Sequence, residues 1–397
     1  LDPMQPSARL CAIMDAASPK VLITGNDVAV AAELTRERGS TSVLALDDLP
    51  VERTDNPTDE TRVAPLLSRH PAYVLFTSGS AEAPKGVVVE HASLSDYIQV
   101  AEASYPAARG TTLLHSPITF DLTVTALYTT LASGGTVLLA PMERSQWIDD
   151  ALAQSPVTFA ECTPSHLPLL ELLPDSYSPS RQLLLGGEGL FAEQLTSFRR
   201  NHPDCEIRNV YGPTELTVNC TQYLLPSHES LAPGAVPIGR AFPGTRAYVL
   251  DQKLRLVPEG VIGELYVAGV SLARGYLNQA ATTAATFVAD PFGPPHERMY
   301  RTGDLVRWRH DGELVWVSRS DDQFKLRGHR IEPSDIEAAL LSADGVEMAA
   351  IRLIEDRIIG YVYGTAADGE TVRSEVARTL PSYMVPKRVK FIDKMPL

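Results

Sequence analysis

The chain has little cysteine: four residues in 397, at Cys11, Cys162, Cys205 and Cys220, with no CxxC pair. That spacing excludes a disulfide scaffold or a cysteine-built zinc site, and makes reduced thiols in a cytoplasmic setting the expectation. Positive charge is also in deficit, with 35 Lys and Arg against 49 Asp and Glu, a net −14. Such a balance repels phosphate backbones and anionic lipid, so neither nucleic acid nor membrane is expected as a partner. No apolar run is long enough to span a bilayer. The longest uncharged stretch, Leu122 to Met142, carries five threonines, a serine and a Gly-Gly pair, too polar for a membrane core. No basic segment leads into an apolar run at the start, so no secretory signal is expected. The chain opens at Leu1-Asp2-Pro3 without an initiator methionine and stops at Met395-Pro396-Leu397. It reads as a piece of something longer.

What is present is ordinary globular usage, 44% apolar and 21% charged, over a length that one core does not usually fill. Strand and helix patterns alternate, which predicts an α/β architecture. Short strands are expected at 20–24, 72–77, 87–89 and 136–140, and helices at 28–38, 92–103 and 122–131. From about Gly239 to 317, β-type runs separated by turn residues suggest a barrel or small sheet. The polar run Ser318-Arg319-Ser320-Asp321-Asp322 marks a change of texture. Beyond it a helix is expected at 333–341 and strands at 348–353 and 357–363. Residues from Asp322 onward carry 11 basic against 12 acidic side chains, so nearly all the acidity lies upstream. A second, small α+β domain after 321 is therefore expected.

The most informative stretch is Thr77-Ser78-Gly79-Ser80-Ala81-Glu82-Ala83-Pro84-Lys85-Gly86. It packs three hydroxyls, two glycines and a lysine between two strands. Glycine lets backbone N–H groups converge on an anion, and the hydroxyls and ammonium add donors. It is not the NTPase P-loop, because Pro84-Lys85-Gly86 leads into Val87-Val88-Val89 rather than into a helix. Taken alone it reads equally as a solvated surface loop.

The same stretch resembles the Thr-Ser-Gly-Ser-Thr-Gly-x-Pro-Lys-Gly signature of adenylate-forming enzymes. Four further matches follow in that family's order: Asn209-Val210-Tyr211-Gly212-Pro213-Thr214-Glu215, Gly263 to Gly269, Tyr300-Arg301-Thr302-Gly303-Asp304, and Asp321 to Pro333. Together they resemble an adenylation domain of a nonribosomal peptide synthetase, over essentially the whole chain. The resemblance implies an adenylate-forming fold: a large N-terminal domain, 1–320, of mixed sheets plus a β-barrel at about 239–317, its start missing. A small mobile α+β domain, 322–397, its end missing, would follow a hinge at Asp321. It also implies that ATP and Mg²⁺ activate an α-amino acid as its adenylate, which passes to the phosphopantetheine thiol of a carrier protein. Such chemistry serves antibiotic or siderophore synthesis. A CoA ligase of the same superfamily and a non-catalytic nucleotide- or partner-binding domain are the alternatives.

Carried over residue by residue, Thr77, Ser78, Gly79, Ser80 and Lys85 would wrap the β- and γ-phosphates. Thr214 would donate to the α-phosphate and Glu215 would ligate Mg²⁺; with Lys85 these are the expected catalytic residues. Tyr211, followed by Gly212, would stack on adenine, with Asn209 reading its exocyclic amine and Gly187-Glu188 forming the facing wall. Asp304 would accept the ribose hydroxyls and Arg319 would lie near ribose and phosphate. Read singly, Tyr211-Gly212-Pro213 and Asp304 are equally turn residues. Lys325 and Gly328 would face the pantetheine tunnel, and residues 281–292 resemble a segment that binds an MbtH-like protein in some relatives.

Asp121 would pair with the substrate α-ammonium, although on its own it reads as a helix N-cap. The other pocket positions match Leu122, Thr125, Glu161, Leu184, Gly186, Val210, Val218 and Asn219. Three of these bond hydrogen, and Glu161 would be costly to bury unpaired. The expected side chain is therefore polar with a donor, for instance cationic and ornithine-like. Ala81-Glu82 stand where the family has Thr-Gly, and Ser318 stands for a usual Gly. The family's final Asn-Gly-Lys lies beyond Leu397, so a protein ending there is expected to adenylate poorly.

Overall fold

The computed structural model describes residues 1–25, 28–35, 41–48, 58–77, 84–227, 231–366 and 368–393. The chain divides into two compact units. One comprises Leu1–His70, Phe76–Gly86 and Ile331–Leu397, and the other Pro71–Leu75 and Val87–Arg330.

The larger unit is built on a seven-stranded sheet. Thr136–Leu139, Thr111–Leu114, Val157–Cys162, Gln182–Leu185 and Glu206–Tyr211 run parallel, in that spatial order. Thr221–Leu224 and Arg240–Ala241 add antiparallel at the far edge. Parallel strands covered on both faces are expected to be apolar throughout rather than alternating. Thr111–Leu114 and Gln182–Leu185 are accordingly buried at every position. Phe159, Leu184 and Val210 join Tyr97, Tyr105 and Val267 in the main core.

The turn-rich stretch after Gly239 makes a second sheet, in which Thr245–Leu250, Gly263–Gly269, Phe287–Ala289, Arg298–Trp308 and Leu314–Arg319 all pair antiparallel. Two of its short strands go elsewhere. Arg240–Ala241 closes the seven-stranded sheet, and Gly275–Tyr276 pairs with Val87 and Val88. Phe324–Leu326 and His329–Ile331 form a small two-stranded sheet, turned by Arg327 and Gly328, both at positive φ.

In the other unit, Val346–Ile354, Arg357–Gly364 and Arg388–Phe391 form a three-stranded sheet. Helix Pro333–Leu341 starts with proline in its first turn, where the missing N–H costs nothing. Helix Gly369–Val376 is capped by Asp368, which accepts from the backbone of Glu370 and Thr371. Val21–Thr24 and Ser42–Ala45 form a separate parallel pair.

The strands and helices expected from the sequence are present with shifts of a few residues, so the α/β reading holds. Residues 36–38 of the expected first helix lie outside the described residues. The helix expected at 122–131 is less regular than its pattern suggests. A π-helical segment, Thr125–Thr129, separates two short α-turns, the kind of bulge often found beside a functional site. No helix among the described residues is long and apolar enough to cross a membrane.

Candidate functional site

Ligands of parallel α/β sheets gather at the carboxyl ends of the strands. Four adjacent strands here end in polar residues: His115 follows Thr111–Leu114, Glu161 and Cys162 finish the next, Gly186 to Glu188 follow Gln182–Leu185, and Asn209 to Tyr211 finish the fourth. Two cavities open at these ends, and both are lined by Gly187.

The first cavity, of about 350 Å³, is lined by Gly187, Glu188, Asn209, Tyr211, Asp304 and Arg319, together with Trp316 and Lys325. These include six of the residues expected to hold nucleotide. Asp304 is 5% exposed. Its Oδ2 accepts from Tyr211 Oη at 2.7 Å, and its Oδ1 accepts from Trp316 Nε1 at 2.9 Å and Arg319 Nη1 at 3.0 Å. A carboxylate has about four lone-pair sites, so Asp304 keeps room for roughly one further donor rather than an open pair. The Asp304–Arg319 contact follows from register, since the two residues are cross-strand partners. Burial, and then the Asp304 charge, push Tyr211 well above the usual tyrosine range, so its hydroxyl stays a donor.

Asn209 Nδ2 donates to the carbonyls of Val236 and Pro237, at 3.2 and 2.8 Å. That fixes Oδ1 as the acceptor end of the amide. Glu188 is tied down at both carboxylate oxygens. Its Oε2 accepts from Ser165 N and Oγ and its Oε1 from Gly328 N at 2.6 Å. Lys325 Nζ lies 5.8 Å from the Tyr211 ring centroid. Burial lowers its pKa, against the pull of Asp304.

The second cavity, of about 210 Å³, is lined by Asp121, Leu122, Glu161, Val218 and Asn219 from the expected pocket, and by His115, Phe120 and His166. Asp121 does not cap the helix it precedes. Its Oδ2 instead accepts from Thr214 Oγ1 at 2.6 Å. Burial raises the Asp121 pKa, while Thr214 and then Lys325 oppose the shift. Thr125, Leu184 and Gly186 line neither cavity, and Val210 lines the first one. Thr125 Oγ1 is bonded to Tyr97 Oη at 2.6 Å.

The wall opposite is held by unusual backbone. Thr217 and Val218 both have positive φ, 55° and 73°, which is rare and costly for β-branched residues. Their turn brings Val218 and Asn219 against Gly212, where a Cβ would run into the Val218 carbonyl. Only glycine fits after Tyr211 in that arrangement.

Glu215 is 1% exposed. Tyr276 Oη donates to its Oε1 at 2.6 Å, and Arg330 Nη1 lies 3.4 and 3.3 Å from its two oxygens. Burial opposes ionisation, but Arg330 and then Tyr276 hold the carboxyl below its usual range. The donor type fits a hard cation such as Mg²⁺, which takes one or two carboxylates and completes its shell with phosphate and water. Any metal here competes with Arg330. No cluster of three or more His, Cys, Asp or Glu suited to a metal occurs among the described residues.

In the other unit, Lys85 Nζ lies 3.1 Å from Glu332 Oε1, and the Thr77 carbonyl accepts from Arg9 at 3.4 Å. Ser78, Gly79 and Ser80, like Ala81 and Glu82, lie outside the described residues. Asp321 is gripped by Arg319, whose Nε and Nη2 donate to Oδ1 and Oδ2 at 2.7 and 2.8 Å.

Sequence reading misses His115, His166, Trp316 and Arg330 as site residues. For His115 a signal exists: a titratable residue directly after a buried parallel strand. For the others the placement depends on strand pairing and turns that no local pattern reveals.

Residues 1–277 match the AMP-binding enzyme family model. Across its whole length the chain is 35% identical to a dimodular nonribosomal peptide synthase of Bacillus subtilis (strain 168), of which it spans only 17%. Among solved structures, a holo nonribosomal synthetase protein containing adenylation and PCP domains, PA1221, superposes with a TM-score of 0.84. It is 25% identical, with all of this chain and 68% of that one covered. The Vibrio cholerae adenylation domain AlmE, solved with glycyl-adenosine-5'-phosphate, gives 0.81 at 23% identity, covering all of this chain and 81% of that one. The chain belongs to the AMP-binding enzyme family, and its adenylate-forming fold is the one found in adenylation domains of nonribosomal peptide synthetases.

Proposed function

We propose that the chain joins the carboxylate of an α-amino acid to the α-phosphate of ATP, and then passes the aminoacyl group to the phosphopantetheine thiol of a carrier protein. One observation carries this reading. Thr214, expected to donate to the α-phosphate, is bonded to Asp121, expected to hold the α-ammonium. The groups that would recognise the two reactants therefore touch, and their cavities share Gly187.

In the first step a carboxylate oxygen attacks the α-phosphorus, a P–O bond forms, and the bond to pyrophosphate breaks. Both reactants are anions, so the protein's task is mostly placement and charge compensation. Asp121 would fix the amino acid by its ammonium and Thr214 would donate to the α-phosphate oxygens. Asn209, Tyr211 and Asp304 would hold adenosine, with Arg319 locking Asp304. Thr77 and Lys85, with Ser78, Gly79 and Ser80, would hold the outer phosphates. Mg²⁺ bound at Glu215 would supply the largest local positive charge. In the second step the thiolate attacks the acyl carbonyl and AMP leaves. Movement about Asp321 between the steps, with Lys325 and Gly328 facing the thiol, and docking of an MbtH-like protein are further parts of the proposal.

The test is direct. The intact protein with ATP, Mg²⁺ and a mixture of amino acids should yield an aminoacyl-adenylate by mass spectrometry, and label should move to a carrier protein rather than to free CoA. Nucleotide binding without any adenylate would mark a non-catalytic domain, and transfer to CoA alone would mark a CoA ligase.

A further inference from the structure

Glu161 ends the strand Val157–Cys162 and faces the second cavity, 2% exposed. Its Oε1 accepts from Asn219 Nδ2 at 2.9 Å. Its Oε2 is buried and meets no well-aligned hydrogen-bond partner among the described residues. An unpaired buried carboxylate oxygen is among the costlier features a fold can keep, so what answers it decides what the cavity is for.

Among the described residues only neutral groups bond this carboxyl, the Asn219 amide and the Thr125 hydroxyl. His115 donates from Nε2 to the Glu161 carbonyl at 3.2 Å, and its Nδ1 faces Ser116 Oγ at 3.1 Å. His166 accepts at Nδ1 from Thr163 N. His166 is thereby placed as its neutral tautomer, and burial lowers the pKa of each imidazole, to about 4 at His115. The rings meet edge to face, 4.8 Å apart. Arg327 is the one Lys or Arg among the described lining residues, and it is exposed. Asp121, the second carboxylate in the cavity, adds negative charge and is already matched to the substrate α-ammonium.

Resting on the adenylation reading, we infer that the substrate is an aliphatic diamino acid whose side-chain ammonium pairs with Glu161 Oε2. Two carboxylates then meet two ammonium groups, and the stem between them lies along Leu122 and Val218. An ammonium suits the site better than a guanidinium. A guanidinium fork takes both oxygens of a carboxylate, whereas a point-like ammonium needs only one, and Asn219 already occupies Oε1.

The experiment compares kcat/KM for adenylate formation by the intact protein across 2,4-diaminobutyrate, ornithine, lysine, arginine, glutamine and leucine. One of the three diamino acids should exceed glutamine and leucine by on the order of 100-fold, the usual scale for a buried, hydrogen-bonded charge pair. Glu161→Gln should erase that preference, and AMP binding by the same variant reports that it is folded. A preference for leucine or glutamine, or a flat panel, overturns the inference and leaves the adenylation reading standing. Absence of adenylate with every amino acid overturns the adenylation reading itself.

Discussion

Arg330 Nη1 lies 3.3 Å from Glu215 Oε2, so an internal guanidinium stands against the one carboxylate expected to take a metal. The pair is 21% and 2% exposed at the side chains, deep enough that breaking it strands a charge. Arg330→Gln should therefore destabilise the protein by roughly 3–5 kcal/mol. Mg²⁺ with ATP should recover part of that loss by binding the exposed carboxylate. Thermal melts of the variant with and without Mg-ATP check this. A melting temperature equal to wild type, or no extra stabilisation by Mg-ATP relative to wild type, would count against competition at Glu215.

Burial raises Glu161 to about 7, with Thr125 and Asn219 opposing the shift and Asp121 adding to it. The sign follows. An acid raised in the folded state favours its neutral form, so the stability it lends is full below its unfolded pKa. That stability is lost as pH rises toward 7. Binding an ammonium reverses the preference, because the bound site needs the ionised carboxylate. Affinity for a diamino acid should climb by about tenfold per pH unit below 7 and level off above it. Other groups face the same cavity: Asp121, His115, His166, His329 and Arg327. Asp121 acts in the same sense on any α-amino acid, so leucine serves as the control. Calorimetric titrations of the two ligands at several pH values should separate the curves; parallel curves would contradict the assignment to Glu161.

Asp321 is held by Arg319 through two hydrogen bonds at the end of the strand Leu314–Arg319. Proline there fixes φ and removes both bonds. Asp321→Pro should slow thioester formation several-fold more than adenylate formation, if the backbone at this point turns between the two steps. Rapid-quench measurement of each half-reaction resolves the two rates. Equal slowing of both would argue for a plain structural contact.

Parts of the site carried by contiguous residues are legible in the amino-acid sequence alone. Asn209, Tyr211, Thr214 and Glu215 sit on one strand end and its turn, and Asp304 follows a glycine at positive φ. The partners that finish the site are not legible, because they come from distant segments joined by pairing and packing. Trp316 and Arg319 reach Asp304 through strand register, and Arg330 reaches Glu215 across 115 positions. Val210, matched to the substrate pocket, lines the first cavity beside Asn209. The helix at 122–131 rests on apolar spacing, and apolar spacing does not announce a π-bulge.

A crystal structure with bound AMP tests the central claim most directly. The base should lie against Tyr211 and Asn209 and the ribose on Asp304, in the cavity lined by Gly187 and Arg319. Density for the nucleotide anywhere else, with that cavity empty, would contradict it.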